Sequence, residues 1–243
     1  MMKISIKSMM FNIFLALWTI IISLSIVPFY FTKNLKIISI LGSIWAKITI
    51  KALYFICDIK YNITGTENIP NTNLFIIASK HQSAWETIFF LQYFKLPVYI
   101  LKKELTKIPF YGWFLTSMGM IAIDRKGGIK SLKKVLLGVE NALSKNRPVV
   151  IFPEGTRVKP MTSVKYQSGI AAIYNKFRTI PIIPIAVNSG LYWPKNSWNK
   201  FPGTIKVQIL KPINPSLKKE EFLTNLKNDI EQASNKLYTD LQK

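Results

Sequence analysis

The sequence contains a single histidine, His81, and an acidic residue, Glu86, follows it five positions later. A loop that turns into a helix between them would bring the carboxylate against one imidazole nitrogen. Such a pair makes a general base, because the carboxylate orients the ring and stabilises the imidazolium while the other nitrogen takes a proton from a hydroxyl. Two other interpretations are open. Ser83 and Glu86 match a capping box, in which the glutamate bonds to a backbone amide at a helix start, and a lone histidine can be structural.

Arginine is the rare basic residue of this chain, since only four of the 33 Lys and Arg residues are Arg. Two of the four, Arg125 and Arg157, come directly after apolar segments in turn-like contexts. A guanidinium group binds phosphate oxygens through paired hydrogen bonds, whereas a lysine ammonium acts as a movable point charge. The placement of these two arginines therefore predicts a phosphate-binding site.

The residues around Arg157 strengthen this prediction. Gly155 permits unusual backbone angles and the close approach of a ligand, Thr156 offers a hydroxyl, and Glu154 could neutralise or orient Arg157. An ordinary surface turn with an exposed ion pair is the alternative interpretation. Lys102, at the end of an apolar segment, adds a further candidate charge for the phosphate, although lysines there are equally typical of a solvated face.

Short apolar segments alternate with helical patterns after Cys57, which predicts an α/β fold: a mixed, largely parallel sheet flanked by helices. The apolar run Leu74 to Ala78 predicts a central strand, and it places His81 at a strand's carboxyl end, where α/β proteins hold their sites. The alternating residues Ile59, Tyr61 and Ile63 predict a half-buried strand. Other segments predict further central strands, at Val98 to Leu101, Met120 to Ile123, Val149 to Phe152 and Ile182 to Val187. The alternation of Ile205, Val207 and Ile209 predicts an edge strand.

Two apolar segments precede this core. Ser8 to Thr32 carries no charge and is long enough to span a bilayer, whereas Ile37 to Cys57 is interrupted by Lys47 and Lys51, which predicts an amphipathic, interfacial helix. Lysines flank the first segment on both sides, so the positive-inside rule indicates no orientation. A hairpin or monotopic anchor is expected, and two buried core helices are the alternative.

The chain ends in a predicted amphipathic helix, whose apolar stripe consists of Phe222, Leu226, Ile230, Ala233, Leu237 and Leu241. The expected organisation is therefore a membrane-association part at residues 1–57, an α/β core at 58–217 and a C-terminal amphipathic helix at 218–243.

Composition restricts the class of protein. The chain of 243 residues provides for one ordinary core, and a net charge of +21 combined with 49% hydrophobic residues suits a protein that lies against an anionic bilayer. A nucleic-acid-binding protein would be more polar. One Cys excludes an internal disulfide, and one Cys with one His cannot build the usual zinc site.

Taken together, the motifs resemble those of bacterial glycerolipid acyltransferases, and most of all the 1-acylglycerol-3-phosphate acyltransferases. The resemblance covers about residues 58 to 190. After the His81 motif its blocks are Lys102 to Leu105, Ile108 to Trp113, Ile123 to Arg125, Phe152 to Arg157 and Ile180 to Pro184.

The resemblance implies roles for these residues. His81 would be the general base and Glu86 its acidic partner, Arg157 and Lys102 would hold the glycerol phosphate, and Arg125 would be a weaker phosphate ligand. The residues Glu154, Gly155 and Thr156 belong to the same phosphate-binding motif. The block Ile182 to Ile185 would lie on the acyl-binding side.

One residue departs from the family pattern. The first motif normally ends in Asp, whereas this chain has Glu86, whose extra methylene moves the carboxylate by about one bond length. A misplacement of about 1 Å can cost about a hundredfold in rate. The distance between the Glu86 carboxylate and the His81 ring therefore decides whether glutamate can replace the aspartate of the family.

The reaction implied is transfer of a fatty acyl group from an acyl thioester, carried by coenzyme A or by acyl carrier protein, to the sn-2 hydroxyl of lysophosphatidic acid. The product is phosphatidic acid, as in phospholipid biosynthesis, with no metal or other cofactor. The resemblance places the protein at a bacterial inner membrane with its active site facing the cytoplasm. Another lysolipid or glycerol 3-phosphate as acceptor, and a noncatalytic basic membrane-binding protein, are the alternatives.

Overall fold

The computed structural model describes residues 2–32, 34–109, 111–125 and 127–239, and Phe110 and Leu241, which belong to predictions above, lie outside these ranges. Seven helices are α1 (Met2–Thr32), α2 (Leu35–Cys57), α3 (Trp85–Tyr93), α4 (Tyr111–Ser117), α5 (Gly128–Ser144), α6 (Ser168–Lys176) and α7 (Lys219–Thr239). Seven strands are β1 (Ile59–Thr64), β2 (Ile76–Ser79), β3 (Val98–Lys102), β4 (Ile121–Ile123), β5 (Val149–Ile151), β6 (Ile182–Val187) and β7 (Gly203–Ile209).

The strands form one sheet in the order β1-β7-β6-β2-β5-β3-β4. Every neighbouring pair is parallel except β6 and β7, so β1 and β7 run opposite to the other five strands. The predicted mixed, largely parallel α/β fold is thereby confirmed. Because β2 lies between β5 and β6, the residues that follow its carboxyl end lie near the middle of the sheet edge.

The helices cover both faces of this sheet. Side chains of α1 to α4 share one hydrophobic cluster with Ile77, Val150 and Ile183, whereas α5 to α7 pack against Ile76 and Val149 on the other face. Adjacent residues of one strand thus enter different clusters, as the pleat of a strand requires. This two-sided burial explains why the central strands are continuous apolar runs.

Two strand positions differ from the prediction. β7 is an internal strand, because it lies between β1 and β6 and pairs with both. β4 is an edge strand rather than a central one. Alternation and apolarity report how the faces of a strand are covered, not whether its hydrogen-bonding edges are, so the prediction was wrong for Met120 to Ile123 and for Ile205 to Ile209.

The two N-terminal helices pack along the domain and expose an apolar face. α1 buries Phe11, Ile22 and Ile26, while a row of its large apolar residues is about half exposed, for example Leu17 at 57%. α2 exposes Lys47 and buries residues on its other face, which confirms its amphipathic character. By length and composition both helices could cross a membrane. Among the residues that the structure describes, none covers the outward row of α1.

The helix α7 buries the predicted stripe residues Phe222, Leu226, Ile230 and Leu237 against the sheet, and Ala233 is half-buried. It also buries polar residues that the stripe does not include, among them Glu231. The helix α2 ends at Cys57, and α7 begins at Lys219.

Candidate active site

The loop after β2 carries His81, and Glu86 lies in the first turn of the helix α3 that follows. The imidazole Nδ1 and the carboxylate Oε1 of Glu86 are 2.8 Å apart. The ring stacks on Phe152, with centroids 3.9 Å apart and planes 18° from parallel. Because Nδ1 is held by the carboxylate, Nε2 is the nitrogen that remains for a substrate hydroxyl. The chain thus forms the expected His–acid pair with glutamate in place of aspartate.

Glu86 also fulfils the capping interpretation. Its Oε1 accepts hydrogen bonds from the backbone amides of Gln82 and Ser83, at 2.6 and 2.8 Å. The buried carboxylate therefore caps the turn that leads into α3 and orients His81 at the same time. Glu86 thus makes both contacts that the sequence presents as alternatives, one to the His81 ring and one to the Ser83 amide.

The loop after β5 is fastened to the His81 loop. Gly155 adopts a left-handed conformation with φ +71°, and its amide donates to the Phe152 carbonyl at 2.9 Å. The Val158 amide donates to the His81 carbonyl at 2.8 Å, and the His81 amide donates to Glu154 Oε1 at 3.2 Å. Since β2 and β5 are neighbours in the sheet, their two carboxyl-terminal loops form one unit.

Glu154 does not belong to a phosphate-binding wall. Its side chain is buried beneath the His81 loop, where Oε1 lies 3.5 Å from Lys80 Nζ, and it does not line the cavity described below. Burial raises the pKa of Glu154 to about 7, although the ammonium of Lys80 acts in the opposite direction. The expectation that Glu154 binds phosphate or orients Arg157 is wrong, because the lysine and the amide beneath the site turn the carboxylate inward.

A buried network behind the loops was not expected from the sequence. Lys80 is 1% exposed, and its Nζ lies 2.7 Å from both carboxylate oxygens of Glu231, on α7. The Tyr166 hydroxyl donates to Glu231 Oε1 at 3.3 Å. In the sequence, the signal for such a pair is the charge of Lys80 directly after a predicted central strand. This signal does not identify the partner, which lies 151 positions away.

A cavity of about 1060 Å³ opens at this edge of the sheet. It brings together most of the predicted site residues, which are His81, Lys102, Arg125, Gly155, Thr156 and Arg157. The Arg125 guanidinium donates to the Gly155 carbonyl and so joins the end of β4 to the β5 loop. The imidazole of His81 and three cationic side chains therefore line the same cavity.

The remaining walls of the cavity are largely apolar. They are built by α1 to α6 and nearby strands and include Leu15, Trp45, Ile88, Leu91, Phe114 and Met120. The block Ile182 to Ile185, expected on the acyl-binding side, does not line this cavity. Those residues belong to β6 inside the sheet and are buried, because helices cover both faces there. The expected acyl-side role of the block is wrong for this cavity.

Comparisons with known proteins agree with this architecture. A family model described as Acyltransferase matches residues 60–188. The 1-acyl-sn-glycerol-3-phosphate acyltransferase of Pseudomonas aeruginosa is 41% identical over 165 residues, which cover 68% of this chain and 63% of that protein. The protein of the same name from Helicobacter pylori is 32% identical over 194 residues, which cover 76% of this chain and 80% of the relative.

A solved structure shares the fold. It is the crystal structure of PlsC, the 1-acyl-sn-glycerophosphate (LPA) acyltransferase of Thermotoga maritima, with a TM-score of 0.68 and 21% identity. The match covers 94% of this chain and 98% of that one. The alignment to the Pseudomonas relative, by contrast, spans less than two thirds of that protein's length. The resemblance inferred from the motifs is confirmed, and the chain belongs to the acyltransferase family that includes the 1-acyl-sn-glycerol-3-phosphate acyltransferases.

Proposed function

We propose that the protein transfers a fatty acyl group from an acyl thioester to the sn-2 hydroxyl of 1-acylglycerol 3-phosphate, giving phosphatidic acid. The observation that carries this proposal is the His81–Glu86 pair, at 2.8 Å, on the wall of a cavity that also presents Arg157 and a long apolar surface. That combination suits an acceptor with a hydroxyl, a phosphate and an acyl chain. The names of the two bacterial relatives support the same acceptor.

The reaction follows from the geometry of His81. Nε2 takes the proton of the sn-2 hydroxyl as the oxygen attacks the thioester carbonyl, and the Glu86 carboxylate stabilises the imidazolium that forms. The new C–O bond becomes the ester when the C–S bond breaks. The imidazolium then returns the proton to the departing thiolate, so coenzyme A or the carrier protein leaves as a free thiol.

The phosphate of the acceptor is assigned to the cationic wall. Arg157 and Lys102 line the cavity, and Arg125 is held against the Gly155 carbonyl beside them. A guanidinium that already donates one hydrogen bond to the protein retains other N–H groups for phosphate oxygens. Gly155 and Thr156 complete this wall, and Glu154 has no part in it.

We also propose that the exposed apolar rows of α1 and α2 rest in a lipid bilayer, the inner membrane of a bacterial cell, with the cavity facing the cytoplasm. The cavity reaches Leu15, Thr19 and Trp45 on these helices. An amphiphilic acceptor could therefore enter the site without leaving lipid completely.

The test of the proposed reaction is an assay of the purified chain in lipid vesicles, with labelled lysophosphatidic acid and with both acyl-coenzyme A and acyl carrier protein as donors. The wild-type chain should release thiol and form phosphatidic acid, and His81→Ala should abolish both, because no general base remains. Thermal unfolding of the variant controls for loss of fold. Undiminished turnover by a folded His81→Ala protein would contradict the mechanism.

The choice of acceptor is tested in the same assay. Glycerol 3-phosphate, 1-acylglycerol without phosphate and a lyso-aminolipid replace lysophosphatidic acid in parallel reactions. Preference for one of them would support the alternative acceptor, and vesicle binding without thiol release from any donor would support a noncatalytic membrane-binding protein.

Arg157 should act mainly on acceptor binding. Arg157→Ala is expected to raise the KM for lysophosphatidic acid by about ten- to a hundredfold, the effect of losing a hydrogen bond to a charged group. The KM for an acceptor without phosphate should not change. Arg178→Ala, which removes an exposed arginine that lies outside the cavity, is the matched control. An unchanged KM for lysophosphatidic acid would remove Arg157 from the phosphate site.

A further inference from the structure

Glu86, the acid that contacts His81, accepts a further hydrogen bond from the turn that follows β6, the strand next to β2. Ser189 begins a short 3₁₀ turn (Ser189–Leu191) directly after β6, it is fully buried, and its hydroxyl donates to Glu86 Oε2 at 2.7 Å. The two residues are 103 positions apart. We infer that Ser189 is a positioning residue for the His81–Glu86 pair, a third member that holds the plane of the Glu86 carboxylate.

The geometry divides the two carboxylate oxygens of Glu86 between two tasks. Oε1 faces the loop after β2 and accepts from His81 and from the amides of Gln82 and Ser83. Oε2 accepts from Ser189. A carboxylate bound through one oxygen can still rotate about its last bond, whereas one bound through both oxygens in opposite directions cannot. The hydroxyl of Ser189 therefore orients the oxygen that orients the imidazole.

The turn that carries Ser189 is itself held in place. The Gly190 amide donates to the Gln82 side-chain oxygen at 3.0 Å, so this turn is bonded both to the His81 loop and to α3. On the other side, the side-chain oxygen of Asn188 accepts from the Lys206 amide at 2.7 Å. A Cβ on Gly190 would lie 3.0 Å from Gln82 Cβ, which shows how closely the two loops approach. Ser189 therefore fixes the Glu86 carboxylate relative to β6 and β7.

This arrangement gives a physical reason for a glutamate at position 86. The extra methylene carries the carboxylate about 1.5 Å farther from the backbone than an aspartate would. That reach lets one oxygen contact His81 while the other contacts Ser189, in the turn that follows β6. An aspartate at this position would have to give up one of these contacts. The glutamate side chain has one more rotatable bond, so it needs the contact to Ser189 to stay in one orientation.

The kinetic test compares two buried serines. Ser189→Ala is expected to lower kcat about tenfold and to leave the KM for lysophosphatidic acid within about twofold, since the acceptor does not touch Ser189. Ser234→Ala is the matched control, because Ser234 is also fully buried and its hydroxyl has no hydrogen-bond partner among the described residues. Equal kcat values for the two variants would overturn the inference. This arm rests on the proposed function.

A spectroscopic test does not depend on any substrate. His81 is the sole histidine, so its Nδ1 proton resonance in ¹⁵N-labelled protein is identified by its disappearance in His81→Ala. We expect Ser189→Ala to shift or broaden this resonance and Ser234→Ala to leave it unchanged. An Nδ1 resonance that is identical in wild type and Ser189→Ala would overturn the inference, even if the wild-type chain catalyses no acyl transfer and the proposed function fails.

A double-mutant comparison tests whether Ser189 and Glu86 act through one shared contact. The single variant Glu86→Asp leaves the Ser189 side chain intact, so it tests the same contact if Ser189→Ala is poorly folded, and it should shift or broaden the same resonance. The double variant Glu86→Asp with Ser189→Ala should then be no slower than Glu86→Asp alone, because the contact is already gone. Losses that multiply would show two independent effects and contradict a shared one.

Discussion

Two carboxylic acids lie next to His81, and their surroundings assign them different tasks. Glu86 is buried and receives hydrogen bonds on both oxygens. Glu154 is also buried, but its Oε2 has no partner among the described residues, and its Oε1 receives the His81 amide. Desolvation therefore raises the pKa of Glu154 to about 7, with Lys80 opposing it. Glu86 contacts the imidazole ring of His81, and Glu154 supports the backbone beneath it.

The raised pKa of Glu154 makes a prediction about stability. An acid whose pKa is higher in the folded chain than its usual 4.5 binds protons more tightly in the folded state, so it lowers stability as pH rises from about 4.5 through about 7. Glu154→Gln lacks this effect. The free energy of unfolding of the wild type should fall relative to the variant by about 3 kcal/mol between pH 4.5 and pH 8, measured by denaturation in detergent. Parallel pH curves for the two proteins would contradict the assignment.

Among the elements, α7 supports the site from behind. Three of its residues reach the loops that end β2 and β6: Glu231 bonds to Lys80, the Tyr238 hydroxyl accepts from Gln82, and the Leu237 carbonyl accepts from Asn188 at 3.5 Å. The helix is thus attached to residues on both sides of His81. Its apolar stripe fastens it to the sheet, and these polar contacts connect it to the site.

Removing the charge of Glu231 tests this connection. In Glu231→Gln the buried Lys80 would keep Glu154 as its remaining carboxylate, and the lysine should draw Glu154 Oε1 away from the His81 amide. We expect a loss of about 3 kcal/mol in unfolding free energy and a fall in kcat of about tenfold or more.

The control for this prediction is Glu221→Gln, which neutralises an exposed acid in the first turn of the same helix and should cost less than about 1 kcal/mol. Unfolding experiments and vesicle assays on both variants decide the matter. Full activity and wild-type stability of Glu231→Gln would show that the pair does not support the site.

At the scale of the whole molecule, charge and apolar surface are combined in one basic, membrane-facing protein. The net charge is +21, and the outward row of α1 includes Met9, Ile13, Leu17, Ile20 and Ile21, each about half exposed. The same helix contributes Leu15 and Thr19 to the cavity. One helix therefore has an exposed apolar face and another face that lines the cavity.

The outward row predicts how the protein binds vesicles. Leu17→Asp combined with Ile21→Asp puts two charges on one exposed face of α1 and should lower partitioning into anionic vesicles by at least about tenfold, measured by flotation. Leu137→Asp is the control for a single such change, because Leu137 is similarly exposed, at 54%, but lies on α5. Equal flotation of wild type and the α1 variant would show that this row does not contact the bilayer.

The sequence by itself determined the fold class and the local part of the site. Apolar runs and alternation located all seven strands, and the five-residue spacing placed His81 and Glu86 in one strand–loop–helix unit. Arg125, Arg157 and Lys102 were located because strand ends on one edge of a sheet open into the same space. These features depend on near neighbours in the chain, which periodicity and spacing describe.

Only the tertiary structure decided which distant groups meet. It placed β7 inside the sheet, turned Glu154 inward to Lys80, kept Ile182 to Ile185 in the core and brought Ser189 to Glu86. Each outcome depends on a partner far away in sequence, and local patterns contain no information about that partner. A polar side chain points where a distant donor or counter-charge compensates for its burial, and folding brings that donor into place.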